Sequence, residues 1–148
     1  MTLEVRLLGA GDEAVLSRVA PDVFDEPIDP ALTREFLSDP RHHIAVAIDD
    51  GVVVGFASGV HYIHPDKPAE LFVNEVAVAP SHHGRGLGKA VMAALLGAGR
   101  AHRCSVAWVL TDRSNAAANA LYRAAGGAEG EEGLSGDMVG YAFDLRRA

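Results

Sequence analysis

The chain has 148 residues, 49% hydrophobic and 22% charged, with a net charge of −7. That is one ordinary domain, able to bury roughly two-thirds of its unfolded surface, and the balance excludes a disordered chain. The acidic total argues against nucleic acid as a partner, and no apolar run reaches the roughly 18 residues of a membrane span.

Leu3 to Leu8 reads as a first strand, closed by Gly9-Ala10-Gly11. Asp12 is placed to cap a helix to about Ala20, which Pro21 stops. An acidic loop, Asp22 to Asp29, follows. Asp29-Pro30 is an N-cap followed by proline at the first helical position, and it predicts a short helix through Leu37. His42 to Ile48 is a strand, Asp49-Asp50-Gly51 a tight turn, and Val52 to Tyr62 the hairpin partner. Gly55 and Gly59 inside that partner imply close packing or a bulge.

Glu70 to Val78 is the next strand, and Gly84 to about His102 a long helix with apolar residues at helical spacing. Ser105 to Leu110 is a short apolar strand. Asn115 to Ala125 is an alanine-rich helix closed by Gly126-Gly127. Glu129 to Gly136 is either a strand with a loop or a loop alone, and Met138 to Leu145 closes the chain as a strand. The order is βαα, an antiparallel three-strand meander, then αβαβ. The unit from Glu70 to Leu110 should be a right-handed crossover with parallel strands, in a mixed sheet flanked by helices.

Cys104 is the only cysteine, so no internal disulfide forms, and it reads with Trp108 as core. With no signal-peptide pattern at the start, a cytoplasmic location is expected. Charge is segregated along the chain. Pro21 to Pro40 carries six acids and one base, whereas Ser81 to Arg103 carries four bases and no acid. One surface should suit an anion and another a cation. No histidine, cysteine or acid set shows metal-ligand spacing: His61 and His64 sit on a strand end and loop, and the pairs His42-His43 and His82-His83 point apart. No metal is expected.

The most informative stretch is Glu70 to Met92. An apolar strand ends at Pro80, and a basic glycine-rich loop, His83-Gly84-Arg85-Gly86-Leu87-Gly88, opens a helix. Glycines let the backbone approach a phosphate, the helix dipole favours negative charge, and Arg85 and Lys89 add cationic contacts. The spacing is neither a dinucleotide fingerprint nor a Walker loop. A purely structural glycine turn is the competing reading.

The segment VAVAPSHHGRGLGKAVM resembles the acetyl-coenzyme A motif of the GNAT acetyltransferase superfamily, Q/R-x-x-G-x-G/A, with Gly86 and Gly88 matching and His83 departing from Gln or Arg. That departure removes one long polar side chain but no backbone N–H. Asn115 to Gly126 is similar to the family's second signature, N-x-x-A-x-x-L-Y-x-x-x-G. The two lie in the right order on the right elements, and the resemblance covers nearly the whole chain as a single domain, residues 1–148. It implies an α+β GNAT fold: a mixed, mostly antiparallel central sheet with splayed fourth and fifth strands, flanked by about four helices.

The resemblance also implies site roles. Acetyl-coenzyme A would be the co-substrate, its pantetheine arm lying along Val76, Ala77 and Val78, with the Val78 N–H as oxyanion donor. The segment His83, Gly84, Arg85, Gly86, Leu87, Gly88 and Lys89 would hold the pyrophosphate. Asn115 and Asn119 would bond the arm, and Tyr122 would protonate the leaving thiolate, with a core-packing tyrosine as the alternative. Glu75 would deprotonate the amine. By strand alternation it shares a face with Leu71, Val73 and Ala77, where desolvation would raise its pKa, while Asn74 faces the other way. A salt-bridged structural Glu75 is the competing reading.

Within the superfamily the chain is similar to the small aminoglycoside 3-N-acetyltransferases, through VFDEP, ELFVNEVAV and the closing FDL. That likeness implies a cationic small-molecule amine as partner, held by Asp25, Glu26, Glu75 and Asp112, and family members are often homodimers. Ala142 stands where a histidine is expected before the closing FD. An acidic cleft equally suits a polyamine, another small metabolite or a protein N-terminus, and a GNAT domain that binds acyl-coenzyme A without turnover is a further alternative.

Overall fold

The computed structural model describes residues 3–130 and 137–146. Seven strands form one sheet in the order β1-β2-β3-β4-β5-β7-β6. Four of them, β1 (Leu3–Leu7), β2 (His42–Asp49), β3 (Val52–Tyr62) and β4 (Glu70–Val78), are antiparallel neighbours. Beyond them, β5 (Val106–Asp112) runs parallel to β4, β7 (Met138–Asp144) is antiparallel to β5, and the two-residue β6 (Ala128–Glu129) pairs with β7 at the edge. The remainder of the loop expected over 129–136 lies largely outside the described residues. Three α-helices are present among the described residues: α1 (Pro30–Ser38), α2 (Leu87–Ala101) and α3 (Ala116–Ala124). This is the α+β arrangement expected, with three α-helices and two 3-10 turns in place of four helices.

The central strands β2 and β3 are buried almost continuously, as strands covered on both faces must be. On one face, α1 and the acidic loop before it pack down, with Phe24 stacked on Phe56 at 4.1 Å. On the other lies α2, where Gly99 lets the helix approach Leu71 so closely that a Cβ would sit 3.1 Å from it. The β2–β3 turn is as expected, with Asp50 and Gly51 at φ 52° and 81°, the paired left-handed residues of a tight hairpin. Asp29 caps α1 by accepting from the N–H groups of Ala31 and Leu32. Cys104 is buried, but Trp108 is only half-buried, on the opposite strand face from Ala107, and donates to the Tyr62 hydroxyl at 2.6 Å.

The helix expected from Asp12 to Ala20 is replaced by a single 3-10 turn, Glu13–Ser17. One local bond and a tertiary pairing explain the change. The Asp12 carboxylate accepts from the Gly9 N–H at 2.9 Å and caps nothing. Arg18 and Ala20 then extend along β3, exchanging 2.9 Å backbone bonds with Val53, so the chain leaves helical geometry at Arg18.

Two irregularities position the site. β4 and β5 pair at Glu70–Val106, Leu71–Ala107 and Phe72–Trp108 and then diverge, leaving the rest of β4 without a partner on that side among the described residues. A β-bulge falls opposite Gly59: Ser58 pairs with Glu75 and Gly59 with Val73, so Asn74 is the extra residue. A Cβ on Gly59 would lie 2.6 Å from the Phe72 carbonyl oxygen, which is why glycine is required there.

Candidate active site

Where β4 and β5 part, a groove of about 740 Å³ opens between β4, the loop before α2, and α3. Its wall is the backbone of Val76, Ala77 and Val78. The Ala79 N–H donates to Val54 of β3 at 2.7 Å, so strand alternation turns the backbone groups of Val78 and Val76 to the open side. Gly84 and Gly86 follow at φ 78° and 74°, left-handed positions that only glycine fills without strain. Gly86 is the N-cap of α2, so free N–H groups and the positive end of the helix face the groove. Gly88 lets α3 in: a Cβ there would meet Leu121 at 3.3 Å. Leu87, Lys89, His83, Asn115 and Tyr122 also line the groove, whereas Arg85 is exposed and outside its lining. Tyr122 is buried, and burial raises the pKa of its phenol above the usual 10.0.

A second pocket, of about 420 Å³, lies on the α1 face of the sheet. Asp25, Glu26 and Asp29 come to it from the acidic loop, Glu75 and Asn74 from the bulge, and Phe24, Ile44 and Phe56 form its apolar floor. Three of the four predicted acceptor residues therefore meet. The fourth, Asp112, does not: it is exposed, lines neither cavity, and its carbonyl serves Asn119 instead.

The acetyltransferase (GNAT) family model matches residues 14–126, more than half of the chain. The chain belongs to the GNAT family. It is 34% identical over 104 residues to the N-alpha-acetyltransferase RimI of Mycobacterium tuberculosis, covering 70% of this chain and 63% of that protein. It is 32% identical over 117 residues to an L-2,4-diaminobutyric acid acetyltransferase of Nocardia farcinica, covering 77% and 58%. The chain thus spans about three-fifths of the length of these relatives. A solved aminoglycoside acetyltransferase from an uncultured soil metagenomic sample shares the fold, with a TM-score of 0.72 at 23% identity over 93% of this chain and 97% of that one. GNAT acetyltransferases use acetyl-coenzyme A as co-substrate.

Against the GNAT pattern, several expected residues stand differently. Glu75 was expected on the face of Leu71 and Val73, desolvated. The bulge turns it to the opposite face, where it is exposed in the acidic pocket beside Asn74. Asn119 is not a groove residue. It is buried, its amide donates to the carbonyls of Asp112 at 3.0 Å and Asn115 at 2.7 Å, and its oxygen accepts from the Tyr141 hydroxyl at 2.6 Å. Those bonds use both amide donors and one of the oxygen's two lone pairs in tying α3 to β5 and β7. Asn115 lines the groove while its side-chain oxygen caps α3 through the Ala118 N–H at 3.0 Å. His83 places Nε2 2.8 Å from the Val78 carbonyl oxygen. A carbonyl can only accept, so the ring donates, and the Val78 C=O is occupied while its N–H has no partner among the described residues.

Sequence reasoning missed one anchor. His82 is 2.6 Å from the Asp49 carboxylate, both half-buried, and this pair pins the glycine loop to the end of β2. The residues are 33 apart, and no local spacing signals them.

Proposed function

We propose that the chain transfers the acetyl group of acetyl-coenzyme A to a primary amine of a polycationic small molecule, an aminoglycoside foremost, with antibiotic resistance as the consequence. The observation that carries this reading is that Glu75 and Val76, adjacent in β4, line different cavities: Glu75 the acidic pocket, Val76 the groove. An amine held in one is delivered to a thioester lying in the other. The groove fits that co-substrate: free loop amides and Lys89 suit a pyrophosphate, and the unpaired edge of β4 suits an extended amide chain.

Acetyl-coenzyme A supplies the activated acyl carbonyl. The chain's part is to move protons and hold charge. Glu75 takes a proton from the acceptor ammonium, directly or through one water, so that the free amine can attack. The Val78 N–H stabilises the oxyanion that forms on the acyl oxygen. Tyr122 gives its phenolic proton to the departing thiolate, and its raised pKa keeps that proton in place until it is needed. The attacking nitrogen gives up its second proton to the Tyr122 phenolate by way of solvent, so the products are an N-acetyl amide and free coenzyme A thiol, with the ammonium's first proton left on Glu75.

The acceptor class rests on Asp25, Glu26 and Glu75 around an apolar floor, which suits several ammonium groups on a ring scaffold. A second reading is favoured by the relatives: RimI is named for N-alpha-acetylation and the other for 2,4-diaminobutyric acid. Thiol release from acetyl-coenzyme A decides between them, using gentamicin, spermidine, 2,4-diaminobutyrate and an alanine-initiated peptide as acceptors. Release with gentamicin supports the first reading. Release only with diaminobutyrate or the peptide replaces it with the second, and release with none leaves a binding module.

A further inference from the structure

We propose that His43, His61 and His102 form a metal site for a divalent late transition metal ion, Zn2+ foremost, at the end of the molecule opposite the groove. His43 begins the buried run of β2, His61 lies near the end of β3, and His102 is the C-cap of α2. The 15 residues of α2 put this end about 22 Å from the glycine loop.

The geometry is that of a three-ligand site. One ring nitrogen from each histidine lies within 4.8 Å of the others, and His43 Nε2 is 2.7 Å from His61 Nδ1. Tetrahedral Zn2+ with Zn–N bonds of about 2.0–2.1 Å requires ligand nitrogens about 3.3 Å apart, a spacing between those two limits. A hydrogen bond between two imidazoles accounts for His43 and His61. His102 brings a third ring against both, its centroid 4.7 Å from each, stacked on His61 with planes 20° apart and tilted 43° to His43. His43 is buried and fixed by the sheet, while His102 is exposed at a helix end and free to adjust.

The surroundings suit a cation bound by neutral imidazoles. The C-terminal end of α2 presents its negative dipole at His102. Arg41, whose charge reaches His61, is paired with Asp39 at 3.5 Å, and Arg100 and Arg103 flank His102 in the sequence. Three protein nitrogens leave a fourth position for water, and imidazole ligation selects zinc, copper or nickel over calcium and magnesium. A bound ion would clamp the end of α2 to the β2–β3 hairpin.

The test uses tag-free full-length protein stripped with EDTA and titrated with Zn2+ by calorimetry. One ion per chain is expected, with a Kd below about 10 µM, and a melting temperature raised by about 5–10 °C at a hundredfold excess over Kd. His102→Ala removes an exposed ring outside the core, so it keeps the fold. It should weaken binding at least about tenfold and abolish the thermal shift, while His64→Ala should change neither. No binding at about 100 µM Zn2+, unchanged binding by His102→Ala, or loss of binding in His64→Ala would each overturn the assignment.

Discussion

Tyr122 joins two demands that conflict in most tyrosines. Its ring is packed against Tyr141, with centroids 5.8 Å apart, while its side chain also lines the groove. Tyr122→Phe keeps the ring and removes the hydroxyl with its proton, so it should lower kcat by about 10²-fold with little change in the KM for acetyl-coenzyme A. Steady-state kinetics check this, and an unchanged kcat would end the acid role. The same burial has a stability consequence. The folded protein holds the Tyr122 proton above the pH at which the unfolded chain, titrating near 10.0, has lost it. The unfolded state then binds fewer protons, so stability falls as pH rises past that value. Urea unfolding at about pH 8 and about pH 10.5 should show a smaller loss in Tyr122→Phe than in the parent. Asn119 illustrates the other use of a signature residue. Asn119→Ala strands the Tyr141 hydroxyl and removes one of two donors from each of the carbonyls of Asp112 and Asn115. It should cost about 2–4 kcal/mol, seen as a melting point lower by roughly 5–12 °C, through the fold rather than through cofactor affinity.

At the scale of elements, β3 and β4 fall on the residues their apolar patterns predict, and the Asp29-Pro30 start of α1 is equally legible. What was not legible is where the strand period slips. Alternation counted straight through β4 puts Glu75 beside Leu71, whereas one inserted residue, Asn74, reverses every side chain beyond it. Gly59 flagged a bulge without saying which partner residue would be extruded. The first helix failed for a related reason: Asp12 had two possible N–H partners, and a tertiary pairing of Arg18 and Ala20 with Val53 decided between them. The histidine cluster joins residues 43, 61 and 102, a contact made by topology alone. The bulge can be tested by contrasting two glycines. Gly59→Ala drives a Cβ to 2.6 Å from a backbone oxygen and should destabilise by about 2 kcal/mol or more, also lowering activity by shifting Glu75. Gly97→Ala, in α2 with nothing within 4 Å, should stabilise by about 0.4–1 kcal/mol. Denaturant midpoints compare the two, and a Gly59→Ala protein as stable as the parent would remove the bulge from the account.

For the whole molecule, the segregation of charge along the sequence becomes a segregation in space. The acids of the loop before α1 meet Glu75 on one face of the sheet, and the acid-free segment 81–103 supplies the loop and helix of the groove. The β4 backbone is the partition. A catalyst that joins a polyanionic donor to a cationic acceptor gains from keeping the two fields apart, because each pocket then repels the other's ligand as well as attracting its own. The two affinities should therefore be separable by mutation. Asp25→Asn with Glu26→Gln removes two exposed charges from the pocket proposed for the acceptor, each worth about 0.2–1 kcal/mol toward an ammonium. Together they should raise the KM for a polycationic acceptor by about tenfold and leave that for acetyl-coenzyme A within about twofold. Lys89→Ala should do the reverse, weakening acetyl-coenzyme A by several-fold with the acceptor KM unchanged. A matrix of the two KM values across the three proteins reads this directly. If the acidic double variant weakened both substrates equally, the pocket would be acting on the fold or on the donor. The assignment of Asp25 and Glu26 to the acceptor would then be lost, while the assignment of the groove to acetyl-coenzyme A would still stand on the Lys89 result, the loop amides and the open edge of β4.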